Sequence, residues 1–168
     1  TYLTMNQAGM GLAEQTARIT RIVDRLLDLA RPRPPVRARV DVGPIARQLV
    51  ELLDHVAQKG GVTLTLDALP DLPAVHADPD QVQQMVLNLL RNALQHAQRK
   101  VALRLHRGPG GDRLDGLRLT VDDDGPGVPP ADREAVFDPF VTSRPQSGGT
   151  GLGLAVARRL AREHGGSL

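Results

Sequence analysis

Two carboxamides stand one helical turn apart in the run NLLRNALQHA: Asn88 and Asn92, with Gln95 and His96 following a turn later. At about 100° per residue, Asn88, Asn92 and His96 fall along one edge of a helix. Carboxamides are costly to bury without partners, so such a row either bonds neighbouring loop groups, stays solvated or faces a ligand. The ligand it would suit is a hard cation whose other donors are phosphate oxygens and water, the usual setting of magnesium beside a nucleotide. A second run, VDDDGPGVP, carries Asp122, Asp123 and Asp124 into Gly125-Pro126-Gly127. A strand ending in this turn brings a carboxylate to the mouth of a sheet. The carboxylate accepts only, so it can read an exocyclic amino group such as that of adenine, and glycines let a base lie against the backbone. In isolation the same run is also an ordinary polar strand-end turn.

Two further segments complete the set. GGTGLGLA, residues 148–155, places Gly148, Gly149, Gly151 and Gly153 around Thr150 and Leu152, ahead of a stretch with good helix character. Glycines weaken a helix start but expose its unpaired N–H groups and positive dipole end, an environment suited to a triphosphate. It is not a P-loop, because no lysine followed by Ser or Thr stands after the glycines, and the dinucleotide fingerprint fails on register. FDPF, Phe137 to Phe140, holds both phenylalanines of the chain. They anchor a core or the hinge of a mobile lid, and residues 141–150 are where a conformational change on binding is expected.

These segments need elements to position them. Asp78 to Ala97 is expected as a helix: Asp78 is an N-cap, Pro79 suits the first turn, and Val82, Met85, Val86, Leu89, Leu90 and Ala93 form one apolar face. Pro44 to Gln58 is expected as another, with Ile45, Leu49, Leu52, Leu53 and Val56 inward, and a last helix from Leu152 to His164. Val36–Asp41, Val62–Leu66, Ala74–Ala77, Val101–His106 and Leu117–Val121 read as strands, with Gly108-Pro109-Gly110-Gly111 a turn between the last two. Upstream, Met5, Leu12, Ile19 and Leu26 recur every seven positions, a helix seam that either meets another helix or lies on its own domain. Arg31-Pro32-Arg33-Pro34-Pro35 ends that helix and marks a linker. Alternating strands and helices imply an α/β or α+β layered fold.

Composition narrows the class. With 168 residues and no cysteine, the chain can bury a core but offers no disulfide or thiolate metal site, which fits a reducing compartment. The net charge is only +2 and aromatics make up 2%, so the basic stripe and stacking platforms of a nucleic-acid binder are missing. No apolar run approaches the roughly 20 residues that span a bilayer, and no signal peptide is visible.

Taken in order and spacing, the four runs resemble the boxes of the ATP-binding catalytic domain of two-component sensor histidine kinases, within the superfamily of gyrase B, Hsp90 and MutL. NLLRNA is similar to the N box, DDGPGVP to the first glycine box, FDPF to the F box and GGTGLGLA to the second glycine box. The upstream RITRIVDRLLDLARP resembles the second helix of the dimerisation and phosphotransfer hairpin. This implies three parts: a partial dimerisation helix at 1–33, a linker or first strand at 34–40 and an ATP-binding catalytic domain at 41–168. The expected fold is a two-layer α+β sandwich of the Bergerat type, a mixed sheet with helices on one face, preceded by the long N-terminal helix.

The resemblance also implies roles. Asp123 would accept from the adenine amino group, Asn92 would ligate magnesium, and Asn88 would line the phosphate site beside it. Gly125 and Gly127 would border the base, while Gly149, Gly151 and Gly153, with Thr150 and Leu152 among them, would bring backbone amides to the phosphates. Gln95 and His96 join the nucleotide contacts; Gln95 stands at a position that is often basic in the family, and Arg144 where the family often has a lysine. Asn88 replaces the glutamate that activates water in hydrolysing branches, and a carboxamide is a poor general base, which favours phosphoryl transfer to a protein side chain. The family's acceptor histidine has a His-Glu or His-Asp setting that none of His55, His76, His96, His106 and His164 shares. The expectation is therefore a cytoplasmic kinase fragment without its acceptor and shortened at its C-terminus. Its partners would be ATP, a response-regulator receiver domain and a second copy through the N-terminal helix of the full-length protein. An ATP-gated interaction module and a related sigma-factor-controlling serine kinase are the alternatives.

Overall fold

The structure is a computed structural model that describes residues 33–110, 113–142 and 150–168. The seam helix expected upstream of Arg33 falls outside the described residues. After an irregular stretch at 33–37, β1 (Ala38–Val40) leads into α1 (Val42–Lys59), β2 (Thr63–Ala68), β3 (Val75–Ala77), α2 (Pro79–His96), β4 (Lys100–Gly110), β5 (Arg113–Asp123) and α3 (Gly153–Glu163). Two short 3-10 turns, Pro130–Asp132 and Ala135–Phe137, lie between β5 and α3.

The strands form a mixed arrangement. β2 runs parallel to β4, pairing Leu64 with Val101 and Leu66 with Leu103, and β4 runs antiparallel to β5, pairing Leu103 with Val121. A parallel pair requires a crossover, which β3 and α2 supply. β1 and β3 form a separate two-stranded antiparallel pair with Val40 opposite Val75. Alternation along β4 buries Val101, Leu103 and Leu105, while Arg104 on the other face pairs with Asp122 of β5 in solvent. The buried face is covered by the helices: Val82, Val86, Leu90 and Ala93 of α2 and Leu49 and Leu53 of α1 share one core with the β4 residues. The expected two-layer α+β architecture is thus present.

Local chemistry accounts for the helix ends. The side chain of Asp41 caps α1 by accepting from the Gly43 amide at 3.0 Å, and Asp78 caps α2 by accepting from Asp80 and Gln81 at 3.0 and 3.2 Å. Pro79 opens α2 where a missing N–H is harmless. The buried face of α1 differs from expectation: Val42, Ala46, Leu49, Leu53 and Ala57 face inward, whereas Leu52 and Val56 are 62% and 58% exposed. The two alanines let the helix approach the sheet closely, and that choice of stripe turns the bulkier Leu52 and Val56 about 100° away from the core. The β4–β5 hairpin is also longer than expected. Its ladder continues through Gly108, with a register shift between Gly108 and Gly110, so the glycine-proline stretch bulges a strand instead of ending it. Among the described residues, no helix is long and apolar enough to cross a membrane.

Candidate functional site

The helix edge, the acidic turn and the glycine-lined start of α3 open onto one cavity of about 490 Å³. From α2 come Asn88, Asn92, Gln95 and His96, and from the end of β5 comes Asp123. Gly127 follows on the turn, and Thr150, Gly151 and Gly153 come from the approach to α3. Pro126, Val128, Val136, Val141 and Leu154 add an apolar wall of the kind that receives a flat ring.

Each contribution has a local cause. The two asparagines are half-buried beside the Val86–Leu90–Ala93 stripe, so the packing that seats α2 on the sheet also aims its amide edge at the cavity. Asp123 is exposed at the end of β5, lines the cavity, and its Oδ1 accepts from the Gly125 amide at 2.9 Å. Gly125 itself does not line the cavity. A Cβ there would stand 2.6 Å from the His96 carbonyl oxygen and 2.6 Å from Asp123 Oδ1, so only glycine lets the turn close against the end of α2.

No side chain caps α3. The first intrahelical bond runs from the Val156 amide to the Leu152 carbonyl at 3.0 Å, so the amides of Gly153, Leu154 and Ala155 precede the helical ladder. A Cβ on Gly153 would lie 4.0 Å from Asn88 Oδ1, which sets the opening of α3 directly against the first asparagine. Leu152 is fully buried in the core and is not among the lining residues. Gly151, at φ +64°, backs onto Phe140: its carbonyl accepts from the Phe140 amide at 3.0 Å, and a Cβ would meet the Phe140 carbonyl carbon at 2.5 Å. Phe140 takes φ +70° and is 61% exposed, while Phe137 is half-buried with the Arg158 guanidinium 5.0 Å from its ring centroid. Neither ring belongs to the central core. Arg144 and Gly149 lie outside the described residues.

Arg91, Asp132 and Val136 are among the lining residues that were not singled out in the sequence. Arg91 stands between the boxed asparagines and, among the described residues around the cavity, is the single Lys or Arg. Its position three residues after Asn88 was the available signal, masked by its resemblance to any solvated charge on a helix. The donor chemistry also constrains a metal. Among the described residues no group of three or more His, Cys, Asp or Glu could hold an ion. A cation here would therefore depend on the carboxamide oxygens and on oxygens brought by the ligand, which fits magnesium escorting a polyphosphate.

A family model described as histidine kinase-, DNA gyrase B-, and HSP90-like ATPase matches residues 77–168. The sensor histidine kinase ZraS of Escherichia coli O157:H7 is 31% identical over 163 residues, covering 97% of this chain and 34% of that protein. The sensory histidine kinase/phosphatase NtrB of the same organism is 36% identical over 170 residues, covering 94% of this chain and 46% of that protein. Among solved structures, full-length ShkA in complex with AMPPNP superposes with a TM-score of 0.80 at 30% identity, covering 92% of this chain and 33% of that one. The chain spans between a third and a half of the length of these relatives.

Proposed function

The chain belongs to the histidine kinase-, DNA gyrase B-, and HSP90-like ATPase family, and from that premise we propose that it binds ATP with magnesium and serves phosphoryl transfer to a histidine of a dimerisation hairpin. From there the phosphoryl group passes to a response-regulator aspartate. The observation that carries this reading is the meeting of the Asn88–Asn92 edge, Asp123 and the uncapped start of α3 in one cavity.

Roles follow from donor and acceptor capacity. Asp123 accepts from the adenine amino group through its carboxylate, whose Oδ1 also serves the Gly125 amide. Val128, Val136 and Val141 exclude water from the face of the base. Asn88 and Asn92 offer amide oxygens where the phosphates enter, and magnesium bound there supplies neutralisation of triphosphate charge. Arg91 adds the fixed positive charge that Gln95 lacks, and the amides opening α3 add the positive end of a helix dipole. Asn88 cannot take a proton from water, so the site stabilises and orients a phosphoryl group without activating a hydrolytic nucleophile. The acceptor comes from outside the five histidines of this chain: His96 lines the cavity wall, and both ring nitrogens of His164 are engaged, by the Asp78 amide at 3.0 Å and the Leu160 carbonyl at 2.8 Å.

The test is calorimetry of the chain with a non-hydrolysable ATP analogue, with and without magnesium. Saturable binding that strengthens with magnesium and weakens at least about tenfold in Asp123→Ala is expected, the loss of one charge-assisted hydrogen bond. Absence of binding to the folded wild-type chain would refute the reading.

A further inference from the structure

The three successive acids of the acidic turn do different work. Asp122 pairs with Arg104 on the far face of the sheet, and Asp123 faces the cavity. Asp124 does neither. Its Oδ1 accepts from three consecutive backbone amides, Gln98 at 2.8 Å, Arg99 at 2.9 Å and Lys100 at 3.0 Å, and its Oδ2 accepts again from Arg99 at 3.1 Å. Its own amide donates to the Lys100 carbonyl at 3.3 Å.

Those amides belong to the connection between α2 and β4. The helix ends at His96, the Ala97 amide closes it by donating to the Ala93 carbonyl at 2.8 Å, and β4 begins at Lys100. Between them the chain has no ladder of its own, so one carboxylate just beyond the end of β5 does the fastening. The same junction is tied to β2, because the Arg99 carbonyl accepts from Thr63 at 2.7 Å. A second, independent feature marks the spot: the Gly125 backbone lies so close to the His96 carbonyl that a single added carbon would reach 2.6 Å. The end of the asparagine helix and the start of the acidic turn are thus locked across two neighbouring contacts. Asp123 on one side of this lock and Asn92 and His96 on the other all line the cavity.

We propose that Asp124 is a positioning residue for nucleotide recognition: by gathering the amides of Gln98, Arg99 and Lys100 it fixes Asp123 relative to the Asn92–His96 end of α2, and so confers selectivity for a purine bearing a 6-amino group. The proposal rests on the ATP-binding reading of the same cavity. It goes beyond that reading by assigning base selectivity to a side chain that is not among the cavity-lining residues. Recognition by a single charge-assisted bond is sharply distance-dependent, and a displacement of about 1 Å is enough to lose it.

The experiment compares magnesium-ATP with magnesium-inosine triphosphate, which carries a 6-oxo group in place of the amino group. Calorimetry on the 168-residue chain gives the ratio of the two dissociation constants. Wild type is expected to favour ATP by at least about tenfold, the worth of one hydrogen bond to a charged acceptor. In Asp124→Ala, with circular dichroism showing the fold intact, the ratio falls to within about threefold of unity even though Asp123 is present. Asp124→Asn, which keeps an acceptor oxygen in place of Oδ1, restores most of the preference. Should the alanine variant not fold, Asp124→Ser, with one shorter acceptor, gives an intermediate ratio. A folded alanine or serine variant that melts at lower temperature but keeps the wild-type ratio would show a purely structural role and overturn the proposal while leaving the ATP reading in place. A wild-type chain that binds neither nucleotide removes that reading and this proposal with it.

Discussion

Helix α2 is held at both ends by an aspartate that collects amide hydrogens, and the two ends are built in opposite surroundings. At the N-terminus Asp78, only 1% exposed, accepts from the amides of Val36 at 2.7 Å, Asp80 at 3.0 Å and Gln81 at 3.2 Å, and from the Arg33 guanidinium at 2.9 Å. Its own backbone amide donates to His164 Nε2, so the linker, α2 and the residue after α3 meet at one aspartate. At the other end Asp124 is exposed and gathers its three amides at the edge of the cavity. Burial pushes the Asp78 carboxyl up, but the amides of Val36 and Gln81, the Arg33 charge and the Asp80 amide outweigh it and hold the group below the usual carboxylate range. Asp124 is held low chiefly by the amides of Arg99 and Lys100, against a smaller opposing effect of burial. The difference lies in what replaces a lost acceptor. At Asp78 the Gln81 amide is buried and would be left without a partner, whereas the donors at Asp124 are exposed and would turn to water. The buried clamp therefore secures the fold, and the exposed one secures a distance.

The largest effect expected from this contrast is on stability at Asp78. Asp78→Ala removes an N-cap and leaves the buried Gln81 amide unpaired, which together amount to about 2–4 kcal/mol. Urea denaturation should show this as a much lower midpoint, with Asp124→Ala shifting the midpoint far less. Equal shifts for the two variants would abolish the distinction between a fold clamp and a site clamp.

Acid sharpens the same contrast. Both carboxyl groups titrate lower in the folded chain than in the unfolded one, so the unfolded chain binds more protons at mildly acidic pH. Their stabilisation is complete above the unfolded carboxylate value of about 3.9 and drains away as pH falls through that value to the native ones. Stability of the wild type should decline steeply over this interval. Asp78→Asn, which carries no titrating group there, should show a shallower decline from a lower starting point. A slope unchanged from wild type would mean that Asp78 does not contribute to the linkage.

These partners show which parts of the molecule the sequence discloses. The capping of α2 by Asp78, with Pro79 behind it, follows rules that act within a few residues, and so does the placement of Asn88, Asn92 and His96 on one edge. The cavity was legible because each of its walls carries a short run of distinctive types. What escaped is long-range. Val36 and His164 are 42 and 86 residues from Asp78, and the amides gathered by Asp124 are 24 to 26 residues from it, separations at which no local pattern survives. The inward face of α1 was misjudged for another reason: Ala46 and Ala57 carry little hydrophobic signal, yet their small size decides which side of the helix reaches the sheet. The glycines at 108 and 110 read as a turn by composition, but pairing across the hairpin carries the strands through them. Arg91 lay in plain sight within the asparagine run, and only the cavity distinguishes it from a solvated charge.

The smallest effect belongs to the acid that does neither job. Asp122 and Asp123 are consecutive in β5 and point to opposite faces, so Asp122 meets Arg104 in solvent, where the two side chains are 49% and 48% exposed. Exposed pairs of this kind contribute about 0–1 kcal/mol, and Asp122→Asn should change the urea midpoint by no more than about 0.5 kcal/mol in stability. It should also leave the preference for ATP over inosine triphosphate untouched, and that makes it the control for its neighbours. Asp122, Asp123 and Asp124 are consecutive acids of the same charge, so a general electrostatic effect on nucleotide binding would follow from neutralising any of them and would fade with added salt. A geometric effect would not: it would appear at Asp123 and Asp124, persist in salt and be absent at Asp122. Loss of base preference in Asp122→Asn, reversed by salt in the wild type as well, would assign the preference to the summed charge of the turn and take it away from the clamp.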